Sequence, residues 1–278
     1  MTSAGTISFA LLTTILITLM LLGPGRVIAE PSEILSIHVV DVGQGDAMIL
    51  HQPGGCTALI DAGGLLYGHR VTKKLQEMGL SEIDLAVVSH AHLDHFGGLF
   101  DLLPRIGVKE LYDNGGTNPV PDYFDDYLAL RSRHDGKRLQ RGDRLICGDL
   151  QIDVLHPEDP PQPQDDINGA SLVLLVSFGD FRLLHLGDLA GSAEKALLDR
   201  NDDLRADVLK IAHHGAADAT SPELLARSRP GLAVISCGPD NRIGAPAEQV
   251  LQRLQASAIP IRRTDQDGTI SLEISKRN

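Results

Sequence analysis

The sequence predicts an α+β protein with two mainly antiparallel or mixed sheets packed face to face and helices on the outside. Three observations carry this. Short apolar runs punctuated by glycine turns open the chain as hairpins. A 3.6-residue period then appears from Val71, followed by a continuous apolar run, Ile83 to Val88, that reads as a buried strand. The second half repeats this outline of hairpins followed by alternating strands and helices, and no linker long enough to separate domains lies between the halves.

The first thirty residues stand apart. Residues 7–22 are apolar apart from Ser8 and scattered threonines, carry no charge, and are slightly short for a comfortable membrane span. Val27-Ile28-Ala29 is a small-residue ending suited to cleavage before Glu30. Residues 1–29 are therefore expected to be a signal peptide, with an uncleaved N-terminal membrane anchor as the second reading. Residues 30–278 are the folded domain. Its expected location is periplasmic or extracellular, membrane-attached through residues 7–22 if the segment is retained.

Along that domain, Ile34 to Val42 alternates apolar and polar positions and reads as a strand. The glycine-marked turn Asp41-Val42-Gly43-Gln44-Gly45-Asp46-Ala47 leads to strands Met48 to His51 and Thr57 to Ile60. Val71, Leu75 and Met78 share a helical face, with Gly79 as the stop. The buried strand Ile83 to Val88 precedes a helix expected from Phe96 to Leu103. Strand Val108 to Tyr112 and a helix from Asp122 to Arg133, capped by Asp122, end this half. Strands follow at 144–147, 151–155, 172–178 and 181–185, separated by a proline-rich acidic loop from Pro157 to Asp166. Helix 193–198, strand 208–212, helix 222–227, strand 232–236, helix 246–255 and strand 269–274 complete the chain.

Hydrophobic residues make up 42% of the chain, enough for a core. Trp is absent and aromatics are 4%, so base-stacking platforms are few. A net charge of −12 argues against a broad basic face for duplex nucleic acid. It leaves room for an anionic substrate, because bound cations dominate a site locally. Cys56, Cys147 and Cys237 form no C-x-x-C pair; one bridge is allowed, but all three read first as small buried hydrophobes.

The chemistry centres on His90-Ala91-His92-Leu93-Asp94-His95, between the buried strand and a helix start. In an extended segment alternate side chains point the same way, so His90 and His92 can reach one metal ion. Asp94 and His95 enter the first helical turn and can face a second position. Imidazole and carboxylate suit zinc and related divalent ions. Gly97 and Gly98 allow close backbone approach.

Other positions gain weight beside this motif. Asp188, after strand 181–185, reads alone as a helix N-cap and beside the motif as a carboxylate able to bridge two metals. His213-His214-Gly215 ends a strand, where one imidazole can bind metal and the other donate to substrate. Asp61 closes a strand and serves equally well in turn chemistry or in orienting a ligand imidazole through its second nitrogen. Gln44 and Asp46 carry the same ambiguity and are candidate substrate-facing residues. Lys210 is a third such candidate, though a solvated lysine is its first reading. His38, His51, His69, His134 and His156 read as structural or surface residues, and His185 as supporting the site at most.

Together these residues resemble the metallo-β-lactamase superfamily over nearly the whole mature chain. His90-x-His92-x-Asp94-His95 matches its most specific motif, Asp188 its bridging carboxylate, and His214 or His213 its last histidine. The segments DVGQGDA, NGASLVLLVSFGDFRLLHLGDL and VLKIAHHG resemble more narrowly the hydrolase domain of ComEC-type DNA-uptake proteins and their free-standing relatives. The resemblance implies a four-layer αββα sandwich and a hydrolase with one or two divalent ions, Zn or Mn. Many ComEC-type domains have Asp where this chain has His92, so the metal motif here is the fuller one. The family's isolated histidine before the bridging Asp is not evident; the region reads Asp166-Ile167-Asn168-Gly169-Ala170-Ser171, with Asn168 as a stand-in and His156 as a weak substitute. One ion would then take Asp94, His95, His214 and Asp188, and the other His90, His92 and Asp188, completed by Asn168, water or substrate.

The expected function is an exported metal-dependent hydrolase, a phosphodiesterase or nuclease using metal-bound hydroxide, with Asp94 and His213 as the catalytic residues. The expected substrate is a small-molecule or single-stranded nucleic-acid phosphoester, with no groove for a duplex. The rivals are a β-lactamase or other amide or ester hydrolase, and a non-catalytic metal-stabilised binding module.

Overall fold

The computed structural model describes residues 31–277, except 119–122, 160, 162–165, 201 and 240. Residues 1–29, expected to be a signal peptide or membrane anchor, and the expected cap Asp122 lie outside the described residues. Among the described residues no helix is long and apolar enough to cross a membrane.

Among the described residues, fourteen strands form two sheets of seven. They are β1 (Ile34–Val39), β2 (Ala47–His51), β3 (Thr57–Ala62), β4 (Glu82–Val88), β5 (Gly107–Asp113), β6 (Lys137–Arg138), β7 (Arg144–Cys147), β8 (Leu150–His156), β9 (Val173–Phe178), β10 (Phe181–His185), β11 (Val208–Lys210), β12 (Leu232–Ile235), β13 (Ile261–Arg263) and β14 (Ile270–Ser275). The first sheet runs β14-β1-β2-β3-β4-β5-β6 and the second β13-β12-β11-β10-β9-β8-β7. In each, one half is antiparallel and the other parallel. The C-terminal strand does not stay with the second half: β14 pairs with β1 and so ties the chain end into the first sheet.

The apolar pattern explains the layering. β8 alternates, with Leu150, Ile152 and Val154 buried and the residues between them partly exposed. β3 and β9 are apolar on both faces because each is covered twice. Leu35, Ile37, Met48 and Leu50 meet Leu174, Val176, Phe178 and Val234 between the sheets. Val71, Leu75, Phe96 and Tyr127 cover the outer face of the first sheet, and Leu197, Leu224, Val250 and Leu254 that of the second. Three apolar interfaces thus separate four layers, helix–sheet–sheet–helix.

Three local expectations change. The helix expected from Phe96 is two short turns, Leu93–Phe96 and Leu99–Leu102. The break falls at Gly97-Gly98, where a Cβ on Gly98 would sit 1.9 Å from the Ala62 carbonyl oxygen. The strand at 208 ends at Lys210, and Ala212–Gly215 forms a tight turn with His213 and His214 at φ 48° and 54°. Cys56 and Cys147 are not separate buried hydrophobes: they form a disulfide joining the entry of β3 to the end of β7, across the two sheets. Cys237 is the buried free cysteine.

Candidate metal centre

The candidate site lies where strands of both sheets end. After β4 the chain bends at His90 and Ala91, and His92 is extended before the turn Leu93–Phe96 that carries Asp94 and His95. Asp188 follows β10, His213 and His214 follow β11, and Ser236 follows β12. The next helix, Gly191–Asp199, has Ala190 at its N-cap, so Asp188 is not a cap. Asp61, His213 and His214 all have positive φ, a conformation costly for side-chain-bearing residues and concentrated at sites that need it.

Three imidazoles turn the same nitrogen to one oxygen. Nε2 of His95, His214 and His90 lies 3.3, 3.5 and 3.7 Å from Asp188 Oδ2. The opposite ring nitrogens are all engaged. His95 Nδ1 donates to Asp61 Oδ2 at 2.9 Å, His214 Nδ1 to the Ser236 carbonyl at 3.0 Å, and His90 Nδ1 faces Ser89 Oγ at 3.0 Å. Ser89 Oγ in turn donates to Asp61 Oδ2 at 2.8 Å. These partners engage Nδ1 and leave Nε2 of each ring, the nitrogen a metal would take on displacing a proton, facing inward.

Asp94 Oδ2 lies 3.4 Å from His214 Nε2, and Asp94 Oδ1 lies 3.9 Å from His95 Nε2. Asp94, His95, His214 and Asp188 therefore converge as one set. His92 Nδ1 is 3.0 Å from His90 Nε2, and His92 joins none of the groups whose ligand-type atoms all lie within 4.8 Å of one another. Asn168 lies against His92 and places Nδ2 3.4 Å from His213 Nε2, which is itself 4.0 Å from Asp188 Oδ2. His90, His95, His214 and Asp188 form the buried floor; His92, Asp94, Asn168 and His213 are partly exposed and form the rim.

Burial opposes charge on His95 and His214, yet the facing carboxylates outweigh it: Asp188, Asp61 and Asp94 for His95, Asp188 and Asp46 for His214. Both imidazoles are held well above their usual pKa of 6.5. Burial likewise disfavours the Asp188 carboxylate, but His214 and His95 overcome that and hold it well below 3.8. His90 and His92 are pushed below 6.5 by burial and by His95.

The residues fit a divalent ion on an observation independent of family. His95 Nε2, His214 Nε2, Asp188 Oδ1 and Asn168 Oδ1 are buried without a hydrogen-bond partner. Buried polar atoms are otherwise nearly always paired. Ligand-type nitrogen and oxygen atoms converging at a spacing one ion can satisfy account for the orphans on His95, His214 and Asp188; His90–His95–Asp188 and Asp94–His95–His214 are two such groups.

Two residues expected to face substrate do not. Lys210 and Asp46 are 1% and 0% exposed and meet each other, Nζ to Oδ2, at 2.7 Å. A solvated lysine is excluded because its partner, 164 positions away, closes over it. Gln44 is half-buried and its Oε1 accepts from the Gly238 amide at 3.3 Å. His185 is fully buried beside Asp46 and Lys210, where burial lowers its pKa to about 4. His156 is not a ligand candidate: its Nε2 meets the Gly169 carbonyl at 2.8 Å and its Nδ1 the Arg200 guanidinium at 3.3 Å, so both ring nitrogens are engaged. Sequence reasoning missed Ser89, Ser171 and Ser236. Ser171 Oγ accepts from the Asp188 amide at 3.0 Å. Only Ser89, adjacent to His90, carried any signal.

An αββα sandwich with histidines and aspartates gathered at the strand ends of both sheets defines a divalent-metal scaffold. The chain belongs to the metallo-beta-lactamase superfamily, whose family model matches residues 40–238. It is similar to ComE operon protein 3 of Bacillus subtilis (strain 168), 34% identical over 263 residues that cover 87% of this chain and 33% of the relative. It is also similar to competence protein ComA of Neisseria gonorrhoeae, 28% identical over 250 residues covering 89% and 33%. The chain thus spans about a third of the length of the curated relatives it matches. Among solved structures it resembles the metallo-beta-lactamase fold protein YhfI from Bacillus subtilis, with a TM-score of 0.61 at 13% identity, covering 87% of this chain and 100% of the other. That likeness establishes the fold.

Proposed function

We propose that the chain is an exported, divalent-metal-dependent hydrolase of phosphoester bonds, acting on a small molecule or a single-stranded nucleic acid. The observation that carries this reading is the convergence of three Nε2 atoms on Asp188 Oδ2 beside a partly exposed rim. Asp94, His95, His214 and Asp188 would hold one ion, and His90, His92 and Asp188 the other, with Asn168 beside it. Bound zinc or manganese would supply Lewis acidity and lower the pKa of water toward neutrality.

The chain's own groups account for the rest. Asp61 and the Ser236 carbonyl hold His95 and His214 in the tautomer that leaves Nε2 free. His213 stands on the rim beside Asp188 and Asn168, where its imidazole can donate to a phosphoryl oxygen or the leaving group. A phosphoester suits the site because its anionic oxygens complement cations and a rim imidazole. The acidic composition favours a small or single-stranded substrate over a duplex. Export is supported by the Cys56–Cys147 bridge, since stable disulfides belong mainly to oxidising compartments.

The test is a side-by-side assay of metal-loaded protein on an activated phosphodiester and a chromogenic cephalosporin. Hydrolysis of the phosphodiester alone is expected. Turnover of the cephalosporin alone would make the protein a lactam hydrolase, and turnover of neither, with metal bound, a binding module.

A further inference from the structure

Asp46 is a hub between the two sheets. Its backbone amide donates to the Asp94 carbonyl at 3.3 Å, and its own carbonyl accepts from the Gly63 amide at 2.8 Å, both within the first-sheet side of the site. Its side chain reaches the second sheet. Oδ2 meets Lys210 Nζ at 2.7 Å, and Oδ1 lies 3.3 Å from His214 Nδ1. Lys210 also donates to the Ile211 carbonyl at 2.9 Å, which anchors its ammonium at the end of β11. Ser236 Oγ donates to the Gly45 carbonyl at 2.7 Å, binding the β12 end to the same turn.

Three further groups lie around this pair. Asp46, Asp61 and His95 place ligand-type atoms within 4.8 Å of one another, and His185 is buried alongside. Two carboxylates, Asp46 and Asp61, therefore lie beneath the imidazoles with Lys210 as a fully buried cation among them. A buried ion pair gives little net stability compared with apolar side chains of the same volume. Its geometry does something apolar residues cannot do. With Oδ2 taken by Lys210, Asp46 faces His214 with Oδ1, an electrostatic contact 3.3 Å from the same Nδ1 that donates to the Ser236 carbonyl, so carboxylate and carbonyl hold the ring by one nitrogen.

We infer that the Lys210–Asp46 pair is a positioning clamp that fixes His214, supplied by the second sheet, against Asp94 and His95, supplied by the first, so that one divalent ion can take ligands from both. This rests on the reading of the cluster as a metal site. The two residues do not touch substrate; they act through His214. Gly45 fits the same picture, since at φ 125° a Cβ there would come 2.3 Å from the Asp94 carbonyl oxygen. The turn can reach Asp94 only with glycine at that position.

The experiment measures Zn²⁺ and Co²⁺ affinity by competition titration, with the Co²⁺ absorption spectrum as a report on ligand geometry. Wild type is compared with the paired variants Asp46→Asn/Lys210→Met and Asp46→Asn/Lys210→Gln, each of which removes both charges together and avoids a lone buried ion. Circular dichroism and the thermal midpoint of the metal-free proteins check the fold. The expected result is a folded protein whose tighter site binds about 10–100-fold more weakly, with an altered Co²⁺ spectrum. A folded variant with wild-type affinity and spectrum would overturn the inference, as would unfolding of both variants, which would make the pair a folding element. A wild-type protein that binds neither ion would instead overturn the metal reading of the cluster.

Discussion

His95 Nδ1 lies 2.9 Å from Asp61 Oδ2, with both side chains fully buried, and the opposite nitrogen of that ring faces Asp188. The link joins a strand end in the first sheet to the carboxylate that follows β10 in the second. It fixes the ring's tautomer and its direction together.

Asp61→Asn therefore weakens metal binding by about 10–100-fold without unfolding the protein. Asn tolerates the φ of 57° found at this position and can still meet the Ser89 amide. Competition titration with a chromophoric chelator measures the loss. Unchanged affinity would assign Asp61 to turn chemistry alone.

The two ligand sets differ, so the ions should leave separately. As proposed, the set around His214 would have four protein ligands, while that around His90 would lack the family's isolated histidine. Titration with chelator is expected to release one ion early, together with activity, and the other late. Asn168→Ala should lower the affinity of the first ion further, because its Oδ1 is buried without another partner. Simultaneous release of both ions would remove the asymmetry.

Metal loading should rise with pH. In the metal-free protein His95 and His214 have pKa values well above 6.5, so both carry protons at neutral pH that a metal must displace. The stabilisation those protonated rings give the metal-free fold is fully present below about pH 6.5 and is lost as pH rises through their raised values. The increase in thermal midpoint on adding Zn²⁺ should therefore grow from pH 6 to pH 8. A pH-independent increment would mean that these two rings do not exchange protons for metal.

Much of this centre is legible in the sequence because its carriers are local. The motif from His90 to His95 sits between an apolar run and a glycine pair, and Asp61 and His214 close apolar strands. The relationships missed are those made by folding across long separations. Lys210 reads as solvated because its partner Asp46 precedes it by 164 positions. Cys56 and Cys147 are 91 residues apart, a separation that gives no sign of pairing. β6 and β13 are too short to show a period, and the pairing of β14 with β1 depends on which edge is open, which no local pattern encodes.

The bridge makes a stability prediction. Replacing both Cys56 and Cys147 with Ser should lower unfolding free energy by about 2–4 kcal/mol, since the bond closes a long loop between the sheets. Denaturant unfolding under oxidising and reducing conditions measures it; wild type should shift on reduction and the variant should not. Equal stability in all four cases would remove the disulfide as support for export.

The most direct measurement is metal content and phosphodiester turnover of purified wild type and Asp188→Asn, made on the same preparations. Asp188 Oδ2 is the atom on which His90, His95 and His214 converge, and its amide neighbour Ser171 is undisturbed by the substitution. The expected result is one or two divalent ions and measurable turnover in wild type, with metal content reduced and turnover at least about 100-fold lower in a folded variant. Wild-type metal content and rate in Asp188→Asn would contradict the central claim.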